Sequence, residues 1–389
     1  MPEPSSPPRP KFPRAGRPSR RSLPRVLFVA LLVAVGVQLP LVWGLGRVTG
    51  HPRAVAAGAA ALTASFLVAL LGRRQMWRAP GWARLYLVLW PFFLWWMAGL
   101  LFLMLLPLAL ALGALGGLPT DAVLAGAAAL AALGTALAAR QRPRLRARDV
   151  QIPGLPPAFD GYRVAQISDL HCGPFASGAR VASWVEAVNR LEADLVAVTG
   201  DLIANGSAFV AVVAEELGKL RARDGVFACM GNHDYFTPGD EVAPALVGAG
   251  LTLLRNDGVE VKRGGGSIYV AGVDDTWTER HDLERTLAGR PAAAPVVLLA
   301  HDPALFPEAA ARGVELTLSG HTHGGQIGVP FLAHRFNLAR VMTRFTTGLY
   351  KIGDAILYVN RGLGTTGPPV RLAVAPEIAV LTLRRGGAT

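Results

Sequence analysis

The hydrophobic pattern divides the chain near residue 150. Before that point, four long stretches contain no charged residue, at 26–46, 54–72, 85–112 and 122–139. A helix needs about 20 apolar residues to cross the roughly 30 Å hydrocarbon core of a bilayer. A single segment can form all of its backbone hydrogen bonds there only as a helix. The pattern therefore predicts a transmembrane region of about four helices over 26–139.

The two outer stretches have alternative interpretations. The first follows a basic region, as in a signal peptide, but its 21 uncharged residues exceed the roughly 7–15 of a signal-peptide core. The last, 122–139, is mostly Ala and Gly and is also compatible with a surface helix or a re-entrant segment. Residues 1–25 are rich in Pro, Ser and Arg, which predicts a disordered basic tail.

Beyond residue 157, short runs of Val, Ile and Leu alternate with helical stretches such as 176–192 and 208–222. The predicted strands are 162–168, 194–200, 226–231, 266–273, 295–300, 314–320, 356–360 and 377–383. Apolar strands flanked by helices predict a layered α/β domain over 158–385. The Arg- and Pro-rich residues 140–157 are predicted to be a linker.

The positive charge is concentrated in the N-terminal part. Residues 1–149 contain 18 Lys or Arg and 3 Asp or Glu, a net charge of +15, whereas the remainder contains 21 and 24, a net charge of −3. Because the basic residues flank apolar spans and the globular part is mildly acidic, we expect a membrane partner and no nucleic-acid binding. Cys172 and Cys229 form no CxxC pair and are predicted to be small buried residues.

The basic residues also predict an orientation. The tail, the 73–84 loop and residues 140–148 contain seven, four and five Lys or Arg, whereas the other connections contain only Arg47 and Arg53. Basic loops stay on the cytoplasmic side of a membrane. With four crossings, the sequence predicts an integral protein of the cell or inner membrane whose globular domain is cytoplasmic.

Side chains suited to binding metals follow five of the predicted strands. They are Asp169 and His171 in SDLH, Asp201 in TGDL, Asn232, His233 and Asp234 in GNHD, His301 in AHDP, and His321 and His323 in GHTH. Ligands of layered α/β domains bind beyond the carboxyl ends of the strands, so these side chains are expected to converge. Imidazole and carboxylate together suit Mn, Fe or Zn, and a set of this size could hold two ions.

The number and order of these residues carry the prediction. A single aspartate after a strand is usually a turn or cap residue. Here, however, five of the seven histidines in the globular part lie at strand ends, and only His281 and His334 are interpreted as surface residues. Small residues such as Gly320 and Gly324 beside His321 and His323 would let the backbone approach closely.

The motif series DLH, GD, GNHD, AHD and GHTH resembles the calcineurin-like metallophosphoesterase family, and within it the membrane-anchored bacterial branch. The stretch YVNRGLGTTGPPVRLAVAPEIAVLTL at 358–383 resembles that branch as well. The resemblance implies a four-layer α-β-β-α sandwich with a dinuclear metal centre at one end. It implies one ion held by Asp169, His171, Asp201 and His323, and a second held by Asp201, Asn232, His301 and His321. Asp201 would bridge them, His233 would be catalytic and not a ligand, and Asp234 would orient its motif.

The resemblance implies hydrolysis of phosphoric mono- or diesters by a metal-activated hydroxide, with His233 protonating or stabilising the departing oxygen. A membrane anchor makes a lipid or lipid-linked phosphate one candidate substrate. An alternative is a metal-binding regulatory or scaffold module without turnover, which a missing ligand would support, and none is missing. A regulated transporter is disfavoured because the spans contain few polar residues. Family members often have an acidic residue where this chain has Ala204 and Asn205, which affects expected substrate contacts only.

A second glycine pattern is misleading. RGLGTTGPP contains Gly362, Gly364 and Gly367 with GxGxxG spacing. A dinucleotide site requires a helix next, but Pro368 and Pro369 follow. No cofactor apart from the metal ions is therefore predicted, and this loop is expected to border the metal cleft.

Overall fold

The structure is a computed structural model that describes residues 32–71, 81–237 and 240–386. The tail predicted at 1–25 and the beginning of the first predicted span lie outside these residues. The N-terminal helices are α1 (Leu39–Thr49), α2 (Pro52–Leu71), α3 (Trp90–Gly116) and α4 (Thr120–Ala139). A helical turn at Trp82–Arg84 and a π-helical turn at Leu85–Leu89 lead directly into α3.

Among the described residues, four helical segments are long and apolar enough to cross a membrane: Leu32–Thr49, Pro52–Ala69, Trp82–Gly116 and Thr120–Ala139. This confirms the prediction of about four transmembrane helices. Met97 and Phe102 of α3 and Ala131 of α4 are buried among the helices. Gly99 lies against the backbone of Val37, which shows how small residues bring such helices close together.

In the part of the globular region that the structure describes, the strands form two six-stranded sheets. The strands are β1 (Arg144–Ile152), β2 (Arg163–Ile167), β3 (Leu195–Thr199), β4 (Val226–Cys229), β5 (Thr252–Leu253), β6 (Asp257–Arg263), β7 (Gly266–Gly272), β8 (Val296–Leu299), β9 (Leu316–Ser319), β10 (Gly348–Ile352), β11 (Ala355–Val359) and β12 (Glu377–Arg385). The sheet orders are β1-β12-β2-β3-β4-β5 and β10-β11-β9-β8-β7-β6. Strands β2 to β5 are mutually parallel, as are β7, β8, β9 and β11.

Helices cover the outer face of each sheet. The first sheet is covered by α5 (Gly178–Asn189), α6 (Val210–Leu217) and α7 (Val242–Gly248), and the second by α8 (Leu283–Leu287) and α9 (Phe306–Ala311). In β3, Leu195 faces the other sheet while Val196 faces the helices. Both faces are thus buried, which explains the uninterrupted apolar runs. The predicted four-layer α-β-β-α arrangement is confirmed.

All eight predicted strands are present, but the predicted linker at 140–157 contains a further strand. Residues Arg144–Ile152 form β1, which pairs in parallel with β12 along its whole length. Its arginines at alternate positions are largely exposed, whereas Val150 and Ile152 are buried in the core between the sheets. The sequence therefore does alternate with the period of two that is typical of a strand. At most of the alternating positions, however, it has arginine where a strand usually has an apolar residue.

Candidate metal centre

The predicted metal ligands converge at one end of the two sheets. They follow β2, β3, β4, β8 and β9, and cross-sheet hydrogen bonds hold the sheets together at this end. Gln166 Nε2 donates to Ser319 O at 3.0 Å, and Asn360 Nδ2 donates to Gln166 O at 3.2 Å. His321 is half-buried, and the other six predicted ligands are buried. The topology thus collects seven side chains from five separate loops.

Asp169, His171 and His323 form the first group, with ligand atoms all within 4.8 Å of one another. His171 Nε2 lies 3.0 Å from His323 Nε2, which lies 3.5 Å from Asp169 Oδ1. The main-chain amide of His321 donates to both oxygens of Asp169, at 2.9 and 3.1 Å. The GHTH loop is therefore fixed to the loop after β2.

Asp201, His301 and His321 form a second group, again within 4.8 Å. His301 Nε2 lies 3.3 Å from Asp201 Oδ2 and 3.2 Å from His321 Nδ1. Asp201 Oδ2 also lies 3.5 Å from His171 Nε2. A single carboxylate oxygen therefore lies next to histidines of both groups.

The backbone is strained at these positions. Asp169, His171, Asp201, His321 and His323 have φ values between 44° and 69°. Residues other than glycine adopt this left-handed conformation uncommonly, and such strain tends to occur at functional sites. Gly320 precedes His321 because a Cβ atom there would collide with the Ser168 hydroxyl and the Asp169 carboxylate. The small neighbours of the GHTH histidines thus permit a close approach between two ligand loops.

Burial and mutual charge determine the protonation of the site. Burial lowers the pKa of His171 to about 3 and holds the pKa of His323 well below its ordinary value. Burial disfavours ionised Asp201, but His301 and its other histidine neighbours outweigh burial and hold its pKa well below the usual range. Burial alone would lower the pKa of His301, but the adjacent Asp201 outweighs burial and holds that pKa well above its ordinary value. Burial raises the pKa of Asp169 to about 6. Near pH 7 the site therefore offers neutral His171 and His323 and an ionised Asp201, whereas His301 is protonated and must release its proton before it can bind a metal ion.

Asn232 provides an independent indication of a cation. Its side-chain oxygen Oδ1 is buried and, within the part of the chain that the structure describes, has no hydrogen-bond partner. Such an isolated buried acceptor is costly unless water or an ion satisfies it. Asn232 borders the same cleft as His321 and His323. The donor set of imidazole nitrogens, carboxylates and this amide oxygen fits Mn, Fe or Zn.

Asp234 links two of the loops. Its Oδ1 accepts the amide of Leu202 at 2.8 Å, and its Oδ2 accepts the amide of Gly231 at 2.9 Å. Burial raises the pKa of Asp234 to about 7. The side chain therefore holds the loop after β3, which contains Asp201, against the loop after β4, which contains Asn232.

Two hydrogen bonds hold His233, one at its main-chain amide and one at its ring. Its amide donates to Asp201 Oδ1 at 2.9 Å, and its Nδ1 lies 2.7 Å from Ala204 O. The ring stands edge-on to His171 with centroids 4.6 Å apart. With His171 and Asp201 it forms a third group of ligand atoms within 4.8 Å. The hydrogen bond at Nδ1 leaves Nε2 as the ring nitrogen available for chemistry.

Several residues at the site were not predicted from the sequence. Thr366 Oγ1 lies 3.1 Å from His171 Nε2 and 3.0 Å from His323 Nε2. Arg371 donates from Nη1 to His323 O at 3.3 Å, and Trp277 packs on His321 with ring centroids 5.2 Å apart. Thr366 lies in the glycine-rich loop, which does border the site, because Gly364 N donates to Asp169 O at 2.7 Å. That loop was the one available signal for Thr366.

A cleft of about 1680 Å³ opens over the candidate metal ligands. Its lining includes Tyr235, Arg280 and Met342, and also Trp96 of α3. His281 is exposed, as predicted, but it also lines this cleft, whereas His334 is simply exposed. The cleft is larger than the roughly 300–1,000 Å³ of a small-molecule pocket.

Comparison with known proteins identifies the family. The family model described as calcineurin-like phosphoesterase matches residues 162–325. An uncharacterized metallophosphoesterase of Bacillus subtilis, YkuE, is 35% identical over 234 residues, which are 59% of this chain and 82% of the relative. An uncharacterized metallophosphoesterase of Aquifex aeolicus is 31% identical over 234 residues, which are 58% of this chain and 86% of that protein.

A third relative is named as a transmembrane protein. A Danio rerio protein named "Transmembrane protein with metallophosphoesterase domain" is 33% identical over 261 residues, which are 64% of this chain. The match spans only 59% of the Danio rerio protein. Because the family match includes every loop from Asp169 to His323, and the Bacillus subtilis relative aligns over most of its length, the chain belongs to the calcineurin-like metallophosphoesterases, a family of metal-dependent phosphoester hydrolases.

Proposed function

We propose that the protein is a membrane-anchored phosphoesterase that hydrolyses phosphoric mono- or diesters at a dinuclear metal centre. The position of Asp201 Oδ2 carries this proposal, because it lies 3.5 Å from His171 Nε2 and 3.3 Å from His301 Nε2. One carboxylate within reach of two ligand groups is the arrangement that a bridging ligand requires. The first ion would be held by Asp169, His171, Asp201 and His323, and the second by Asp201, Asn232, His301 and His321.

Two divalent ions, when bound, supply the Lewis acidity that makes hydroxide available near neutral pH and neutralises phosphoryl charge. Side chains of the protein would donate a proton and hold the ligand loops together. His233, fixed by its contacts with Asp201 and Ala204, would offer Nε2 to the departing oxygen as a proton donor. Asp234 keeps the loops of Asp201 and Asn232 together.

The proposed topology places the catalytic domain on the cytoplasmic side of the cell or inner membrane. Arg47 near the end of α1 and Asp121 at the start of α4 form a 3.1 Å ion pair, which supports an up-and-down arrangement with these two helix ends on one side. The end of α4 and the arginine-rich β1 would then lie on the opposite, basic side. The proposed units are a transmembrane region over 26–139 and a catalytic domain over 158–385, to which β1 contributes an additional edge strand.

The substrate proposal follows from the anchor and the cleft. A fixed distance from the bilayer brings lipid or lipid-linked phosphates within reach, and the mildly acidic globular part gives no reason to expect nucleic-acid binding. Purified protein in detergent should hydrolyse chromogenic aryl phosphate mono- or diesters when supplied with Mn, Fe or Zn, and a chelator should abolish the rate. Full metal loading without turnover of any phosphoric ester would contradict the proposal and favour a regulatory or scaffold module.

A further inference from the structure

A long loop beside the cleft exposes an unusual amount of apolar surface. This apolar loop, residues 329–342, lies between β9 and β10. Its exposed large apolar side chains are Val329, Phe331, Leu332, Phe336, Leu338, Val341 and Met342. Phe331 is 99% exposed and Val341 is 89% exposed. So many apolar side chains in 14 residues indicate an interaction surface, because soluble surfaces rarely expose large contiguous apolar patches.

The charge around the apolar loop indicates what it contacts. Between Glu315 and Asp354 the sequence has no Asp or Glu, but it has Arg335, Arg340, Arg344 and Lys351. Residues 150–389 as a whole carry a net charge of −3, so this segment is positive within an acidic domain. Apolar side chains interspersed with basic ones are typical of segments that lie in the headgroup region of anionic membranes.

The apolar loop is also continuous with the membrane-spanning helices. Ile327, just before it, and Leu372 pack against the buried cluster that contains Met97 and Phe102 of α3. The backbone amide of Arg371 donates to Ala138 O at the end of α4. The loop therefore begins where the catalytic domain rests on the ends of these helices.

The helix that contains α3 extends beyond its neighbour toward the cleft. The helical segment Trp82–Gly116 has 35 residues and α4 has 20, which correspond to about 52 and 30 Å at roughly 1.5 Å per residue. Because only residues 117–119 join them, the N-terminal part of the longer helix passes the end of α4. There Trp90 and Phe93 contact Phe175, with ring centroids 5.6 and 5.9 Å apart.

The extended helix and the apolar loop border the same cleft. Trp96 lines it from α3, and Leu338, Ala339 and Met342 line it from the loop. His321 and His323 lie in the polar part of the same cleft. A molecule with a phosphate at the metal ligands and a hydrocarbon chain along these apolar side chains would match both parts.

We propose that the apolar loop docks into the headgroup layer of the bilayer that α3 spans, and that the metal cleft thereby opens to the membrane and takes the phosphate ester of a lipid. The docking part stands on the loop itself, and the choice of ester rests on the proposed function. The basic residues select an anionic lipid surface as the occupant, and continuity with the helices places that surface beside the loop.

Spin labelling tests the docking without any enzymatic reaction. The variants V341C and F331C would be labelled in protein reconstituted into vesicles containing anionic phospholipid, since the native Cys172 and Cys229 are fully buried. V259C is the matched control, because Val259 is 39% exposed and lies on β6, the edge of the second sheet opposite β10. Labels at 331 and 341 should be more accessible to oxygen than to a water-soluble nickel chelate, and the label at 259 should show the reverse. Labels at 331 and 341 as aqueous as that at 259 would overturn the proposal.

Kinetics test the lipid substrate. The double variant F331S/V341S should lower turnover of bilayer phosphatidic acid or phosphatidylglycerol by on the order of tenfold, because less apolar surface enters the interface. Neither side chain lines the cleft, so turnover of a soluble aryl phosphodiester should change by less than about twofold. V259S should leave both rates unchanged. Wild-type turnover of the soluble ester with none of either lipid, or an equal loss on both substrates, would overturn the lipid assignment. Absence of any turnover would instead contradict the proposed function, with the spin-label result unaffected.

Discussion

At the scale of single residues, Asp201 makes two kinds of contact, because its two carboxylate oxygens have different neighbours. Oδ1 accepts the amide of His233 at 2.9 Å, while Oδ2 lies between His171 and His301. Removing the carboxylate therefore affects both groups of ligands. We expect D201A to lose bound metal and to lose activity together, as measured by elemental analysis and by the chromogenic assay. A D201A protein that kept its full metal content would show that this carboxylate does not bridge two metal ions.

His233 should behave differently from the ligands. H233A should retain its metal ions and lose roughly 10²- to 10⁴-fold in rate, the usual contribution of a positioned acid or base. The exposed His334 offers a control, since H334A should keep both metal and rate. Loss of metal from H233A would instead identify His233 as a ligand, since its ring lies in one group with His171 and Asp201.

Because Asp234 joins two loops, we expect its substitution to lower the free energy of unfolding. In D234N the new amide would face the Gly231 amide donor, so one hydrogen bond of the pair that joins the two loops would be lost. Leaving a buried donor without a partner costs about 1–3 kcal/mol. Chemical denaturation of D234N should show a loss of this size, with the exposed E215Q as the control. An unchanged free energy of unfolding would show that the loops do not depend on this carboxylate.

We expect the buried carboxyl of Asp169 to make the metal affinity depend on pH. Its pKa is raised to about 6, and a protonated carboxyl must release its proton before it can bind a cation. The raised pKa of His301 acts in the same direction. Metal affinity should therefore fall as the pH decreases through about 6, and binding should release protons. Calorimetric titrations in buffers of different ionisation enthalpy between pH 5 and 8 measure both, and a constant affinity across that range would contradict this account.

At the scale of elements, the loops after the strands determine the site. The strands that precede the site were predictable: β2, β3 and β4, for example, are buried on both faces and appear in the sequence as unbroken apolar runs. The convergence of the candidate ligands was predictable because each comes just after such a run. Thr366, Arg371 and Trp96 were not, because each comes from a segment far along the chain whose position depends on how α3, α4 and the glycine-rich loop pack. Strand β1 was missed because arginine alternates along it.

Gly320 connects two of these elements. G320A should displace the GHTH loop from Asp169, because the added methyl group would occupy the space of the Asp169 carboxylate and the Ser168 hydroxyl. We expect reduced metal content and reduced thermal stability, measured on the same preparation. G248A is the control, since a Cβ there has no neighbour within 4 Å. A G320A protein with normal metal content would show that the two ligand loops can separate without consequence.

At the scale of the whole molecule, the number of helices that cross the membrane determines the side on which the catalytic domain lies. With four crossings, a cysteine introduced in the tail, S5C, and one in the catalytic domain, V259C, should react with a membrane-impermeant thiol reagent only in inside-out vesicles. G117C, in the turn between α3 and α4, should react only in right-side-out vesicles. Reaction of S5C and V259C from opposite sides would show that one span does not cross.

The central claim is that separate strand ends bring seven side chains around two divalent cations. Elemental analysis of the purified, folded protein after loading with Mn, Fe or Zn and removal of free metal tests this most directly. The account predicts two equivalents of metal per chain. A folded protein that binds one equivalent or none, whichever metal is supplied, would contradict it.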